Sequence, residues 1–153
     1  MVHCQTVNVY LLNADSFAAS VDIICADGAE YQHYAPFDQT FFLTTWGNLI
    51  RAGVGVAFGL FDAGRPVGFI CGLVMQDLIT GMKQGMEQLW YVRPGHRAGS
   101  AAIRLLEAFE QEAKKRGAEM ILCGCQHQDF GRMQKLYSRR GYAPHAEAFI
   151  KRI

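Results

Sequence analysis

The chain has 153 residues, half of them hydrophobic and 19% charged, with a formal net charge of +1. A chain of this length buries about 68–70% of its unfolded surface, so it is not a disordered segment, and one domain spanning residues 1–153 is expected. Near-neutrality argues against nucleic-acid partners and against general attraction to anionic membranes. Any basic surface is local, as at Arg93, Arg97 and Arg104 or at Arg132, Lys135, Arg139 and Arg140.

Residues 6–12 alternate Val7, Val9 and Leu11 with polar or aromatic neighbours and predict a first strand. Asn13 or Asp15 can cap a following helix with Phe17, Val21, Ile24 and Cys25 on one stripe. After an irregular stretch over residues 31–37, Asp38 or Thr40 can cap a second helix through Arg51, which turns Phe42, Leu43, Trp46, Leu49 and Ile50 inward. Residues 54–61 and 66–76 flank the turn Asp62-Ala63-Gly64-Arg65 and read as a hairpin. Residues 80–85 read as a connection, and residues 87–92 resume the sheet. Helical spacing returns with Ile103, Leu106, Phe109 and Ala113, ahead of a basic last turn and Gly117. A strand over 119–124, a short helix over 131–140 and a last strand over 146–153 complete the order.

No segment approaches the ~20 apolar residues that a membrane span requires, and residues 1–6 do not resemble a leader, so a cytoplasmic protein is expected. The five cysteines, at 4, 25, 71, 123 and 125, do not form a disulfide pattern. Cys123-x-Cys125-x-His127 places two thiols on one strand face, but no fourth ligand accompanies them. Buried structural cysteines without a metal are the expected reading.

The most telling segment runs from Trp90 to Ala102, a strand that passes through small residues into a helix. Orphan N–H groups at a helix start, backed by the helix dipole and free of bulky side chains, hold phosphates. No Walker loop is present, and Gly53-Val54-Gly55-Val56-Ala57-Phe58 lacks the third glycine of a dinucleotide fingerprint and precedes a strand. Arg97-Ala98-Gly99-Ser100-Ala101-Ala102 resembles the Gln/Arg-x-x-Gly-x-Gly/Ala loop of the GNAT (general control N-acetyltransferase-related) superfamily. Leu136-Tyr137-Ser138-Arg139-Arg140-Gly141-Tyr142 resembles the same family's Leu-Tyr-x-x-x-Gly-Phe/Tyr signature. Two departures stand out. Ser100 takes the place of a central Gly, and Asp129 and Phe130 fall where an Asn is common.

The resemblance covers residues 54–153. It implies an α/β (α+β) GNAT fold in the order β-α-α-β-β-β-α-β-α-β, a mixed twisted sheet with helices on both faces and splayed central strands. It further implies acetyl-CoA as co-substrate, with the pyrophosphate on Arg97, Ala98, Gly99, Ser100, Ala101 and Ala102. The pantetheine would lie along the strand that carries Tyr91 and Val92, whose backbone would supply an oxyanion donor. Transfer of acetyl to an amine needs a base, oxyanion donors and an acid for the leaving thiolate. The signature Tyr137 would be the acid, since a phenol is protonated at neutral pH. Glu87 on the fourth strand and His127 after the fifth are the candidate bases. The acceptor, a primary amine of a small molecule, peptide or protein, would meet the region of Glu30, Tyr31, His33, Tyr34, Phe37, Asp38, Phe41, Phe42 and Trp46 and the loop at residues 80–85. A homodimer is left open. Two other readings are a non-catalytic GNAT-fold binding module and an acetyltransferase for a macromolecule such as a protein or aminoacyl-tRNA.

Overall fold

Ala63 and Gly64 both take positive φ, 48° and 79°, the mirror-image turn geometry whose twist matches right-handed strands. They join β2 (Gly55–Asp62) to β3 (Arg65–Gln76) through a two-residue turn, tighter than the four residues that the composition suggested. In the computed structural model, residues 7–29 and 35–153 are described, with the backbone alone at His127. Two compact units, residues 1–123 and 124–153, make up the chain.

In the first unit the hairpin sits inside a five-stranded sheet of order β1-β2-β3-β4-β5. β1 (Val7–Leu11) and β4 (Lys83–Val92) flank it antiparallel, and β5 (Met120–Leu122) runs parallel to β4. α1 (Ala14–Ala26) starts at Asn13, whose side chain accepts from the Ser16 N–H at 2.8 Å while the Ser16 hydroxyl accepts from the Asn13 N–H at 2.9 Å. This reciprocal box satisfies two otherwise orphaned donors. α2 (Gln39–Arg51) starts at Asp38, which accepts from the Phe41 N–H at 2.9 Å.

Phe17, Val21, Ile24 and Trp46 of α1 and α2 bury against Ala57, Phe69, Cys71 and Leu89 on one sheet face. Successive strand residues point to opposite faces, so Gly72, next to Cys71, faces the other layer. There α3 (Ala101–Lys115) buries Leu105, Leu106, Phe109 and Ala113 completely. Each large side chain so buried contributes about 1.5–3 kcal/mol. A Cβ on Gly72 would overlap the Met86 carbonyl and lie 2.5 Å from the Phe109 ring. Gly72 is thus a notch cut for Phe109. Gly72→Ala is expected to cost about 3 kcal/mol through overpacking, read as a lower denaturant midpoint at unchanged m-value. A neutral result would show that the ring moves aside freely.

β4 begins at Lys83, four residues before the expected start at Glu87. Its first half was hidden by Gly85, which carries no side chain because a Cβ there would meet Ala113 and Ile121 at 2.9 Å. The connection is therefore the short turn at residues 77–82, closed by Asp77 N–H donating to the Met82 carbonyl at 2.8 Å. The Thr80 hydroxyl and N–H donate to the Asp77 carboxylate, the hydroxyl contributing most, and hold its pKa below the usual carboxylate value. The β4–β5 ladder pairs Gln84–Met86 with Met120–Leu122 and stops, while β4 continues to Val92. The two strands part at Glu87.

In the second unit α4 (Phe130–Arg139) is followed by Gly141, whose φ of 87° turns the chain back so that the Tyr142 N–H donates to the Tyr137 carbonyl at 3.0 Å. The expected strand over residues 146–153 does not form, and Phe149, Ile150 and Ile153 are exposed. Apolar residues there occupy both parities, Ala146, Ala148 and Ile150 against Phe149 and Ile153, so no single strand face carries them. The described order is β-α-α-β-β-β-α-β-α.

Candidate active site

β4 leaves the sheet at Val92, and Arg93 takes the extended conformation that a following proline imposes. Pro94–His96 then form one turn of 3-10 helix, with the His96 N–H donating to the Arg93 carbonyl at 2.8 Å. Gly99 follows at φ +82°, a left-handed conformation that side chains disfavour. Ser100 sits at φ −91°, ψ −9°, in the right-handed region. The glycine requirement of this loop thus falls on residue 99, where a glycine is present. Ser100 needs no special freedom.

The Ser100 carbonyl begins α3 by accepting the Arg104 N–H at 3.1 Å, and among the described residues no side chain caps this end. The first N–H groups of α3 therefore point outward from the positive end of the helix dipole. Arg97 Nε donates to the Val92 carbonyl at 2.6 Å, and its guanidinium lies 5.7 Å from the centre of the Tyr91 ring. Arg104 donates to the Val7 carbonyl at 2.7 Å. Neither arginine forms a salt bridge to a carboxylate among the described residues. Arg65, Arg93 and Arg116, by contrast, all do. Two uncompensated cations flank an uncapped helix start, the electrostatic arrangement of an anion cradle.

The β3–β4 register slips at one point: Cys71 pairs with Leu89 and Gly72 with Glu87, leaving Gln88 as the extra residue. Such bulges re-aim neighbouring side chains. Glu87 is half-buried and immediately follows the last residue paired to β5. Burial, and then the charge of Glu87, push the Cys71 thiol well above its usual pKa. The Glu87 carboxylate therefore lies close to Cys71. Tyr91 and Leu89 join Phe69, Val21, Ile24, Cys25, Ala29 and Phe37 around a narrow apolar gap of about 20 Å³, close to the room one water needs.

In the second unit the Tyr137 hydroxyl donates to the Gly124 carbonyl at 3.1 Å, and its ring packs against Tyr142 at 5.3 Å between centroids. The Gly of the signature is thus the pivot that folds one tyrosine onto the other. His127 opens a short 3-10 turn, His127–Asp129, and its side chain lies outside the described residues.

β4 and the loop after it bring together Glu87, Tyr91, Val92, Arg97, Ala98, Gly99, Ser100, Ala101 and Ala102 along one continuous path. Several expected acceptor residues have other duties. Phe42 and Trp46 form an aromatic core with Phe17 and Phe69, and Asp38 is a helix cap. Glu30, Tyr31, His33 and Tyr34 lie outside the described residues. Residues 80–85 stand at the paired end of β4. Lys83 lies about 30 Å along the strand from Val92, at ~3.4 Å per residue. Cys125, expected to be buried, is exposed because β5 stops at Leu122 before reaching it. Among the described residues no three His, Cys, Asp or Glu side chains are grouped to hold a metal, and no helix is long and apolar enough to cross a membrane. Sequence reasoning missed Asp27, Asp62 and the bulge at Gln88, because each acts through contacts distant in the chain.

Comparison with known proteins bears directly on this geometry. A ribosomal-protein-alanine N-acetyltransferase from Brucella melitensis superimposes with a TM-score of 0.71 at 21% identity, covering 97% of this chain and 99% of that one. An aminoglycoside N-acetyltransferase, AAC(6')-Iy, in complex with CoA gives 0.76 at 12% identity over 100% and 98%. A predicted acetyltransferase from Clostridium acetobutylicum, with acetyl-CoA, gives 0.72 at 15% identity over 96% of each chain. No curated protein matches by sequence. The family model for the acetyltransferase (GNAT) family matches residues 21–142, a span from α1 through the loop at Gly99 to Tyr142, and the chain belongs to that family.

Proposed function

We propose that this chain is an acetyl-CoA-dependent N-acetyltransferase that moves the acetyl group directly to a primary amine. The observation that carries the reading is the uncapped start of α3 behind a left-handed Gly99, flanked by Arg97 and Arg104 without carboxylate partners. That cradle fits a pyrophosphate, and β4 beyond its short ladder with β5 fits the peptide-like pantetheine arm. Acetyl-CoA supplies an activated thioester when bound.

The remaining work falls to the chain's own side chains and backbone. N–H groups of Ala98 through Ala102 hold the anion with Arg97. The backbone of Tyr91 and Val92 orients the thioester and donates toward its oxygen. Glu87, at the parting of β4 and β5, takes the amine proton, with His127 as the other candidate base. Tyr137 returns a proton to the thiolate, for which its hydroxyl must leave the Gly124 carbonyl. The acceptor is a primary amine of a small molecule, peptide or protein. We further propose that both units act as one catalytic domain, in the cytoplasm, without a nucleic-acid partner.

Calorimetric titration with acetyl-CoA, followed by thiol release in the presence of candidate amines, tests this reading. Binding in the range of about 1 μM to 1 mM is expected, with turnover for at least one primary amine. Absence of binding at millimolar acetyl-CoA would overturn it in favour of a non-catalytic module.

A further inference from the structure

Residues 97–100 are all exposed, so apart from the Arg97 hydrogen bond to the Val92 carbonyl the position of the loop depends on what holds its two ends. Downstream, α3 is fixed by Leu105, Leu106 and Phe109 in the core. Upstream, two ionic contacts hold the turn that leads in. Arg93 pairs with Asp27, which also receives Arg65 at 2.6 Å, and the Arg93 N–H donates to the Val67 carbonyl at 2.9 Å.

Three residues later, His96 Nε2 meets the Asp62 carboxylate at 2.9 Å, with the two side chains only 21% and 16% exposed. The other ring nitrogen, Nδ1, is buried and has no hydrogen-bond partner among the described residues. The polar contact of the ring is therefore the one with Asp62, and Nε2 carries the proton that the carboxylate accepts, since a proton on Nδ1 would be a buried donor without an acceptor. Asp62 ends β2 beside the rigid Ala63-Gly64 turn, and His96 immediately precedes Arg97.

We propose that Asp62 is a positioning residue for acetyl-CoA binding. Acting through His96, it fixes the 3-10 turn at Pro94–His96 and so sets where the following N–H groups and Arg97 stand before ligand arrives. A loop ordered in advance loses less conformational freedom on binding, and the gain appears as affinity. The inference rests on the reading of residues 97–102 as the pyrophosphate cradle.

Calorimetry with acetyl-CoA on wild type, Asp62→Ala and Asp62→Asn tests it, together with steady-state kinetics. Asp62→Ala is expected to raise Kd and KM for acetyl-CoA about five- to tenfold while kcat at saturation changes less than about twofold. Asp62→Asn, whose amide oxygen still accepts from Nε2, restores Kd to within about twofold of wild type. Wild-type affinity in Asp62→Ala overturns the proposal, as does equal weakening by both substitutions. Should Asp62→Ala disturb the end of β2, His96→Ala removes the same contact from the loop side, and normal affinity there is equally decisive against it. Amide exchange at His96 and Arg97 without ligand separates this proposal from the cofactor reading. Faster exchange in Asp62→Ala supports positioning and unchanged exchange refutes it, whereas failure of the cofactor reading shows as a wild type that does not bind.

Discussion

Replacing Gly99 by valine is expected to weaken acetyl-CoA binding by more than about 50-fold while leaving the melting temperature nearly unchanged. At φ +82° the residue occupies a conformation that costs a side-chain-bearing residue about 1–2 kcal/mol, and more for a β-branched one. The loop would relieve that strain by rotating its peptide planes, which turns donors away from the anion site. No neighbouring atom lies within 4 Å of a Cβ built on Gly99, so the effect comes from the backbone and not from crowding. Gly95 provides the control: a Cβ there also meets nothing, and its φ is not positive, so Gly95→Ala should bind normally. Ser100→Ala, at right-handed angles, should change affinity by no more than a few-fold. Isothermal titration on the three variants decides the matter. Undiminished binding by Gly99→Val would remove the loop from the binding site.

The second large effect belongs to Tyr137. Removing the hydroxyl in Tyr137→Phe is expected to lower kcat by about 100-fold, the contribution of a positioned general acid, with KM for acetyl-CoA within about twofold. The substitution also deletes the hydrogen bond to the Gly124 carbonyl, which contributes about 1 kcal/mol to stability. A modest fall in melting temperature should therefore accompany the kinetic loss. The ring would still pack on Tyr142. If kcat and affinity fell together, Tyr137 would be a cofactor contact and not the proton donor.

The sequence was most legible where local rules act alone. Asn13 and Asp38 cap their helices as their side chains allow, and the amphipathic spacing of Leu106, Phe109 and Ala113 identified α3. The strand, loop and helix around residues 97–102 were visible because they follow one another without interruption. Where contacts span the chain, nothing local announced them. Asp27 reads as an ordinary helix-end acid until Arg65 and Arg93 arrive from β3 and the exit of β4. Gly85 looked like loop because the reason for its missing side chain lies in α3 and β5. Ser100 looked like a departure from the family pattern because a motif records residue types and not dihedral angles. The angle that demands glycine is at position 99. The aromatics of α2 were similarly ambiguous, since ring spacing alone does not distinguish a pocket wall from a core.

The notch at Gly72 bears on how far the molecule can adapt. Packed elements can shift by about 1–2 Å or, more drastically, ratchet past a neighbour by one turn, a step of about 5.4 Å. For α3 such a slip would pull Phe109 from the space that Gly72 vacates and drive the ring against side-chain-bearing positions of β3. The helix is therefore indexed to the sheet at a single setting. The distance from the first turn of α3 to β4 is fixed with it, and in the proposed function that distance separates phosphate from strand. On the proposed reading, a ligand that bridges the two would be matched by the length of the arm joining its ends.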